Sequence, residues 1–399
     1  MKIIFLTFYY PPDLCAGSFR AVALVEALSK KMSSEDEIHV ITTHPNRYLS
    51  HETSAENLQI EGNVTIRRIQ IPNHQIGMIS QVSKFTVYAW HALRHCFKLQ
   101  PDFIIGTTSR LMTGVLTWLT SFILRNGYFV DIRDIFSETI SDLFLLKNTF
   151  AGRCMKSFFL LIERKLLKNA TGVNVVSEGF HDYFQESGID TSKWTFFPNG
   201  VDREFTNSKF NSARKCSSLK TVFYAGNIGS GQGMELIVPE VAKQLGSNFK
   251  FQIVGDGSTF KLLEERIKAL DVGNVDLLPP VERKQLIKHY CTADILFLHL
   301  NNVSAFKRVL PSKLFEYIAV GKPIVAGLNG YSARFIKKNI GHACLFRPGD
   351  VDECILCIQK AIKVVVNHND VDQFIKKYSR VNIMEKMANH IVSIASNNV

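Results

Sequence analysis

The sequence predicts an α/β protein made of two doubly wound domains, and three observations carry that expectation. Strand-like apolar runs alternate with helix-like amphipathic runs through both halves of the chain. At 399 residues the chain exceeds the length at which a single hydrophobic core usually keeps growing. A polar stretch, Thr206 to Lys220, separates the two alternating series. Strands that alternate with helices pair in parallel and build a doubly wound sheet, whose ligands bind beyond the carboxyl ends of the strands.

The elements follow in order. Ile3 to Phe8 reads as a buried strand, then comes a loop with Pro11, Pro12 and Gly17, and then helical spacing from Phe19 to Lys31. Strands are expected at Ile38 to Thr42 and Val64 to Ile69. A long helix covers Ser80 to Leu99 and stops before Pro101. Phe103 to Thr107 is a strand, Leu111 to Leu124 a helix, and Tyr128 to Ile132, Thr171 to Ser177 and Trp194 to Phe197 are strands. The second series has strands at Thr221 to Ala225, Lys250 to Val254, Val275 to Leu278, Ile295 to Leu298 and Pro323 to Ala326. Its helices are Met234 to Leu245, Phe260 to Leu270 and Ser312 to Val320. The expected domains are 1–205, 206–375, and a last segment, 376–399, forming a helix that packs back on the N-terminal domain.

Composition narrows the function classes. With 46% hydrophobic and 21% charged residues the chain is neither disordered nor fibrous. The net charge of +11 favours an anionic partner, but the basic residues form no long tract and no RNP-like or zinc-finger spacing occurs. Phosphate or a membrane surface fits better than nucleic acid. Of eight cysteines only Cys354 and Cys357 are spaced as a CxxC pair, inside the amphipathic run Val351 to Val365. Two thiols on a helix explain them better than zinc or redox chemistry, and free thiols suit a reducing cytoplasm. The apolar N-terminus is too short for a signal-peptide core, and Leu111 to Leu124 falls short of the ~20 residues that span a bilayer.

The segment Leu310 to Ala326 is the most informative. Pro311 and Ser312 mark a helix start, with Ser312 as N-cap. Lys313 in the first turn opposes the helix macrodipole, which makes sense if a diphosphate lies over the helix end. Glu316, one turn on, is placed to meet neutral hydroxyls such as those of a ribose. An ordinary capped helix with a solvated Lys and Glu stands level with that reading on the residues alone.

This segment resembles the C-terminal signature of the GT-B retaining glycosyltransferases of family four, an E-x7-E pattern closing in Gly-x-Pro. Five further stretches resemble the same family in the same order: Phe8-Tyr9-Tyr10-Pro11-Pro12 with Gly17, Val176-Ser177-Glu178-Gly179, Pro198-Asn199-Gly200-Val201-Asp202, Tyr224-Ala225-Gly226-Asn227-Ile228-Gly229, and Val254-Gly255-Asp256-Gly257. The flavour is that of the branch that builds bacterial surface polysaccharides, including N-acetyl-fucosamine-type transferases.

The resemblance implies a GT-B fold, two Rossmann-like domains facing across a cleft. It implies a nucleoside-diphosphate-sugar donor, a UDP-linked N-acetylated sugar, and a lipid-linked saccharide acceptor of O-antigen or capsule assembly. It also implies retention of configuration, no cofactor and no obligatory metal; no Asp-x-Asp stands where a metal would be held. Glu316 then binds ribose, Gly255, Asp256 and Gly257 border the base together with Pro279 to Val281, and Gly226, Asn227 and Gly229 approach the diphosphate. Gly17 faces the phosphates or the acceptor.

Departures from the pattern are informative too. Arg308 occupies the place of the signature's first Glu, and Asn227 and Gln232 replace a customary Arg and Lys. Arg308 and Lys313 are the candidates to supply the two positive charges a departing diphosphate needs. Arg133 and Asp134 end a strand where family members more often have His-Asp. Asp134 is a candidate for acceptor or sugar contact and Arg133 for phosphate, against a surface or interdomain ion pair for each, and Glu138 lies one turn on. The basic amphipathic stretches Ser80 to Lys98 and Gly152 to Lys168 suit an anionic bilayer, with core packing the simpler alternative for each. The expected location is therefore the cytoplasmic face of the cell membrane. The rivals are a GT-B nucleotide-sugar epimerase and a catalytically inert, nucleotide-binding scaffold. A nicotinamide dehydrogenase is disfavoured because strand one leads into Pro11-Pro12 and not Gly-x-Gly-x-x-Gly.

Overall fold

A computed structural model describes residues 1–46, 54–72, 78–108, 110–138, 150–206 and 218–398. It divides into two compact units, Met1–Asn199 with Arg380–Val399, and Gly200–Ser379. The sequence reading set its boundaries at 205/206 and 375/376. Most of the polar stretch Thr206 to Lys220, and Cys216 with it, lies outside the described residues.

The first unit contains, in chain order, β1 (Lys2–Leu6), α1 (Ala16–Lys31), β2 (Glu37–Thr43), β3 (Leu58–Glu61), β4 (Val64–Ile69), α2 (Met78–Leu99), β5 (Phe103–Thr107), α3 (Leu111–Leu124), β6 (Gly127–Ile132), α4 (Phe150–Lys168), β7 (Gly172–Val175), α5 (Gly179–Glu186) and β8 (Thr195–Phe196). Its sheet runs β3-β4-β2-β1-β5-β6-β7-β8, and only the β3–β4 pair is antiparallel. The central strands are mostly apolar because a parallel sheet is covered on both faces: every residue of β5 is buried. Right-handed crossovers decide which face each helix covers. The connection β1 to β2 runs one way along the sheet, and β4 to β5, β5 to β6 and β6 to β7 run the other way. So α2, α3 and α4 form one layer with α3 in the middle, while α1 lies on the opposite face against the C-terminal helix Arg380–Ser396. The Tyr88 hydroxyl of α2 is fully buried and donates to the carbonyls of Thr7 and Ile41, which ties that layer to the sheet.

The second unit contains α6 (Arg203–Thr206), β9 (Lys220–Ala225), α7 (Met234–Leu245), β10 (Phe249–Val254), α8 (Phe260–Ala269), β11 (Val275–Leu278), α9 (Arg283–Thr292), β12 (Ile295–His299), α10 (Ser312–Val320), β13 (Ile324–Gly327), α11 (Gly330–Asn339), β14 (Ala343–Phe346), α12 (Val351–Ala361) and α13 (His368–Lys377). Its strands are parallel in the order β11-β10-β9-β12-β13-β14. One core cluster joins Val222 and Tyr224 of β9 to Ile237 and Val241 of α7, Phe251 and Ile253 of β10, and Ile358 of α12.

The cysteine expectation needs correcting. Cys357 is joined to Cys344, which ties α12 to β14, and Cys354 of the CxxC pair is a separate, buried thiol. Spacing along the chain hid this, because the partner comes from a neighbouring strand. Among the described residues no helix is long and apolar enough to cross a membrane.

Candidate functional site

In the second unit the chain order reverses between β9 and β12, so the loops leaving these two strands diverge at their carboxyl ends. That is the crevice in which doubly wound sheets bind ligands. The loop after β9 and the loop after β10 lie against each other backbone to backbone. Gly226 N–H donates to Val254 O at 2.8 Å and Ile228 N–H to Asp256 O at 2.9 Å. Gly255 has φ +150°, and a Cβ there would stand 1.9 Å from Gly226 O, so this approach requires glycine. The Asp256 carboxylate accepts the Gly257 N–H at 2.7 Å and shapes its own turn.

The helix α10 opens at this crevice, and the structure revises its start. Pro311 is the N-cap, Ser312 is the first helical residue, and no side chain caps the end. The expected Ser312 cap fails because Pro311, with φ −61° and ψ 132°, already makes the turn into the helix. Lys313 reaches back across the crevice. Its Nζ donates to the Tyr224 hydroxyl at 3.2 Å and stands 4.8 Å from the centre of that ring. A Cβ on Gly226 would stand 1.9 Å from Lys313 Nζ, so the absence of a side chain at Gly226 is what admits the ammonium. An ammonium over a bare glycine, beside an uncapped helix N-terminus, is an arrangement that attracts an anion.

Asn227 and Gln232 form a neutral pair. Asn227 Nδ2 donates to Gln232 Oε1 at 2.8 Å, and the same oxygen accepts the Gly229 N–H at 3.3 Å. An amide bridge thus stands where the resemblance led to an expectation of two positive charges. Arg308 is half-buried at the end of the short 3-10 turn Ala305–Lys307, in the loop that leads to α10. His299, at the end of β12, was not singled out in the sequence. It is buried, its Nε2 accepts the Gly349 N–H at 2.9 Å, and Nδ1 lies 2.6 Å from Gln232 O. Nε2 as acceptor makes Nδ1 the protonated nitrogen. Burial lowers the imidazole's basicity, and the ring serves as a neutral brace for the Gln232 turn.

Glu316 sits one turn into α10 inside an ion network. Arg283 of α9 donates to Glu316 Oε1 at 2.8 Å and to Asp202, and the Tyr290 hydroxyl donates to Glu316 Oε2 at 2.9 Å. Burial works against the charge on Arg283, but Glu316 and Asp202 outweigh it and raise its basicity above the usual guanidinium value. Burial, and then Glu316, push Tyr290 well above an ordinary phenol. Each Glu316 oxygen has one described partner and a further lone pair to offer. Arg283 was missed because it opens a helix with no motif of its own.

The first unit has its own cluster at the carboxyl ends of β1 and β6. Asp131 is buried and bridged by Arg20, with Nε at 2.7 Å and Nη2 at 2.9 Å, and it also accepts from Asn174 at 2.7 Å. Burial opposes ionisation of Asp131, but Arg20, Arg133 and Asn174 hold its carboxyl below the usual range. Arg20 further donates to the carbonyls of Pro198 and Phe197. Arg133 donates its N–H to Thr108 Oγ1 at 2.9 Å and its side chain to Asn199 Oδ1 at 3.4 Å, and burial, with Arg20 next, depresses its basicity. Asp134 is exposed. Gly17 lies in the first turn of α1 and not in the preceding loop, because that helix starts at Ala16, before the expected Phe19.

Just beyond Asp134, buried Glu163 of α4 accepts the Phe136 N–H at 2.9 Å and the hydroxyl of Ser137 at 2.5 Å, and Ser137 meets Tyr183 at 2.8 Å. Burial raises Glu163 to about 7; Glu138 adds to the rise, while the hydrogen bonds from Ser137 and Phe136 work against it. Glu138, the outlying sequence candidate, is itself buried.

Comparison with known proteins agrees with this architecture. Residues 20–200 match the family model described as a glycosyl transferase 4-like domain, and residues 206–381 match that of the glycosyl transferases group 1. A curated protein of Escherichia coli strain K12, the colanic acid biosynthesis glycosyl transferase WcaI, is 23% identical over 391 residues, covering 93% of this chain and 94% of that one. Two solved structures share the fold. The Anabaena protein Alr3699/HepE in complex with UDP-glucose has a TM-score of 0.68 at 15% identity, covering 98% of this chain and 99% of that one. WaaG, a glycosyltransferase involved in lipopolysaccharide biosynthesis, has a TM-score of 0.67 at 14% identity, with the same coverage.

Proposed function

We propose, from the premise that the chain is a glycosyltransferase of the GT-B type, that it moves a sugar from a UDP-linked donor, an N-acetylated hexose, to a lipid-linked saccharide during the assembly of a surface polysaccharide. The anomeric configuration is retained, as in family four. The observation that carries the reading is Lys313 lying over bare Gly226 at the uncapped start of α10. HepE is in complex with UDP-glucose, and WcaI and WaaG are named for colanic acid and lipopolysaccharide biosynthesis, which supports this choice of donor and setting.

In the reaction the bond between the anomeric carbon and the diphosphate oxygen breaks, and the acceptor oxygen bonds to that carbon. The acceptor's proton leaves with the diphosphate. Lys313, Arg308 and the N–H groups opening α10 receive the charge that develops on the leaving group. Glu316, held in place by Arg283 and Tyr290, accepts from the ribose hydroxyls, and Gly226, Asn227, Gly229, Gly255, Asp256 and Gly257 line the nucleotide. In the first unit Arg133 and Asp134, with Gly17, are assigned to the acceptor side.

Thermal unfolding against a panel of UDP- and GDP-sugars tests this. A ligand at a hundred times its Kd adds about 2.7 kcal/mol of stability. UDP-sugars are expected to raise the Tm, and Lys313→Ala to abolish most of that rise. A full UDP shift in Lys313→Ala, or no shift with any nucleotide sugar, overturns the reading. Product analysis with and without acceptor separates transfer from epimerisation and from inert binding.

A further inference from the structure

We infer that the outer face of the α2–α3–α4 layer is a docking surface for an anionic phospholipid bilayer. The inference deepens the reading above, because a lipid-linked acceptor resides in such a bilayer, but it rests on the surface itself. The layer's inner side covers the sheet, so side chains on the far side of each helix point away from it, and α4 is exposed all round from Arg153 to Phe158. What they expose is apolar and large. Trp90 of α2 is 68% exposed, Phe122 of α3 is 72% exposed and Phe158 of α4 is 59% exposed, with Phe97, Leu119 and Leu161 exposed beside them. Isolated surface apolars are ordinary, but three neighbouring helices sharing one such face are not.

Charge selects the occupant. The sequences of the three helices contain one acidic residue, Glu163, and it is buried. Around the aromatics stand exposed Arg94 and Lys98 of α2, Arg125 just past α3, and Arg153, Lys156 and Lys165 of α4. Every described side chain from Arg153 to Phe158 is exposed, so the first half of α4 shows both basic and apolar groups to solvent. A second protein would bury the apolar groups but leave this one-signed charge to be matched. An anionic headgroup layer over acyl chains satisfies both at one depth. Not every basic residue of α2 takes part: Lys84 is buried and faces inward, where burial lowers its pKa, and Tyr88 is buried with it. The structure thus selects the outer half of the stretch Ser80 to Lys98, and it adds α3, which its apolar composition alone had marked only as too short to span.

The test is co-sedimentation of the full chain with vesicles of phosphatidylglycerol and phosphatidylethanolamine, and with vesicles of phosphatidylcholine alone. The protein is expected to partition onto the phosphatidylglycerol vesicles at low salt and to release as salt screens the charges. The double variant Phe122→Glu, Phe158→Glu is expected to lose at least about tenfold in partitioning with its Tm unchanged, and Arg153→Glu, Lys156→Glu to lose mainly the salt-sensitive part. Equal partitioning of the aromatic double variant and the wild type overturns the inference. So does an absence of anionic-vesicle binding, including the case where the face instead mediates a concentration-dependent dimer that Phe158→Glu dissolves. The UDP-induced Tm shift is read in the same samples: if it persists while vesicle binding fails, the surface inference falls alone, and if it is absent while vesicle binding holds, the donor reading falls alone.

Discussion

Each unit places an arginine–carboxylate cluster at the carboxyl ends of its strands, and the two clusters differ in what they leave open. Arg20 spends its donors on Asp131 and on the carbonyls of Pro198 and Phe197, with side-chain exposures of 2% and 4% for the pair. Four of Arg20's five N–H donors are spent in this way and both side chains are sealed from solvent, so the cluster locks α1 to β6 and to the chain's exit from the sheet. Arg283 is also paired, but each Glu316 oxygen accepts one described hydrogen bond, and Glu316 sits one turn past Lys313 in the same helix. The same chemistry therefore serves as a scaffold in the first unit and as a poised acceptor in the second. Burial and completeness of pairing decide between the two roles, not residue type.

The sharpest way to break this contrast is Arg20→Ala. Removing one partner of a buried pair leaves Asp131 charged and unmatched, at a cost of about 3–5 kcal/mol. Denaturant unfolding should show that loss, with UDP binding spared wherever the protein is folded. The opposite pattern is expected for Lys313→Ala. Turnover should fall by about 10²–10³, the range seen when a group stabilising developing charge is removed, with little change in the unfolding midpoint. Near-native turnover in both Lys313→Ala and Arg308→Ala would remove these side chains from the chemistry. Glu316→Gln keeps the shape of the network but weakens its charge-assisted hydrogen bonds, each worth about 1.5–3 kcal/mol. A ten- to hundredfold drop in kcat/KM carried mostly by donor affinity is expected, and titration of UDP against uridine-free diphosphate would localise it to the ribose.

The smallest effect concerns pH. Glu163 is raised in the fold to about 7 from 4.5. Between those values the folded chain holds the proton more tightly than the unfolded chain, so stability falls as pH rises through this window and levels off above it. The Tm of the wild type should drop by a few degrees from this group across the window, and Glu163→Gln, a standing mimic of the protonated form, should flatten that slope. An unchanged slope would mean that Glu163 does not control the Phe136–Ser137 turn.

Much of this molecule was legible in its sequence. The helix Ser312 to Val320, the strand Phe103 to Thr107 and the helix Met234 to Leu245 stand where their periodicity and end signals put them, because those signals are local. The sequence also singled out Asn227, Gln232 and Lys313, and the structure brings all three to the loops beyond β9 and β12. Arg283 was not singled out, since a single arginine at a helix start carries no mark of the carboxylates it will meet from Asp202 and Glu316. The same holds for His299, and for Cys344, which meets Cys357 from the next strand.

Alternation and composition by themselves determined the class of fold, the expectation of two mostly parallel sheets and the glycine-bearing loops at their strand ends, since each is read from a pattern within a few residues. Which arginine is sealed and which is poised, why Gly226 must lack a side chain, and which faces of three helices share one outward surface were settled only by the tertiary structure. These are distances between residues far apart in the chain, and no local preference encodes them.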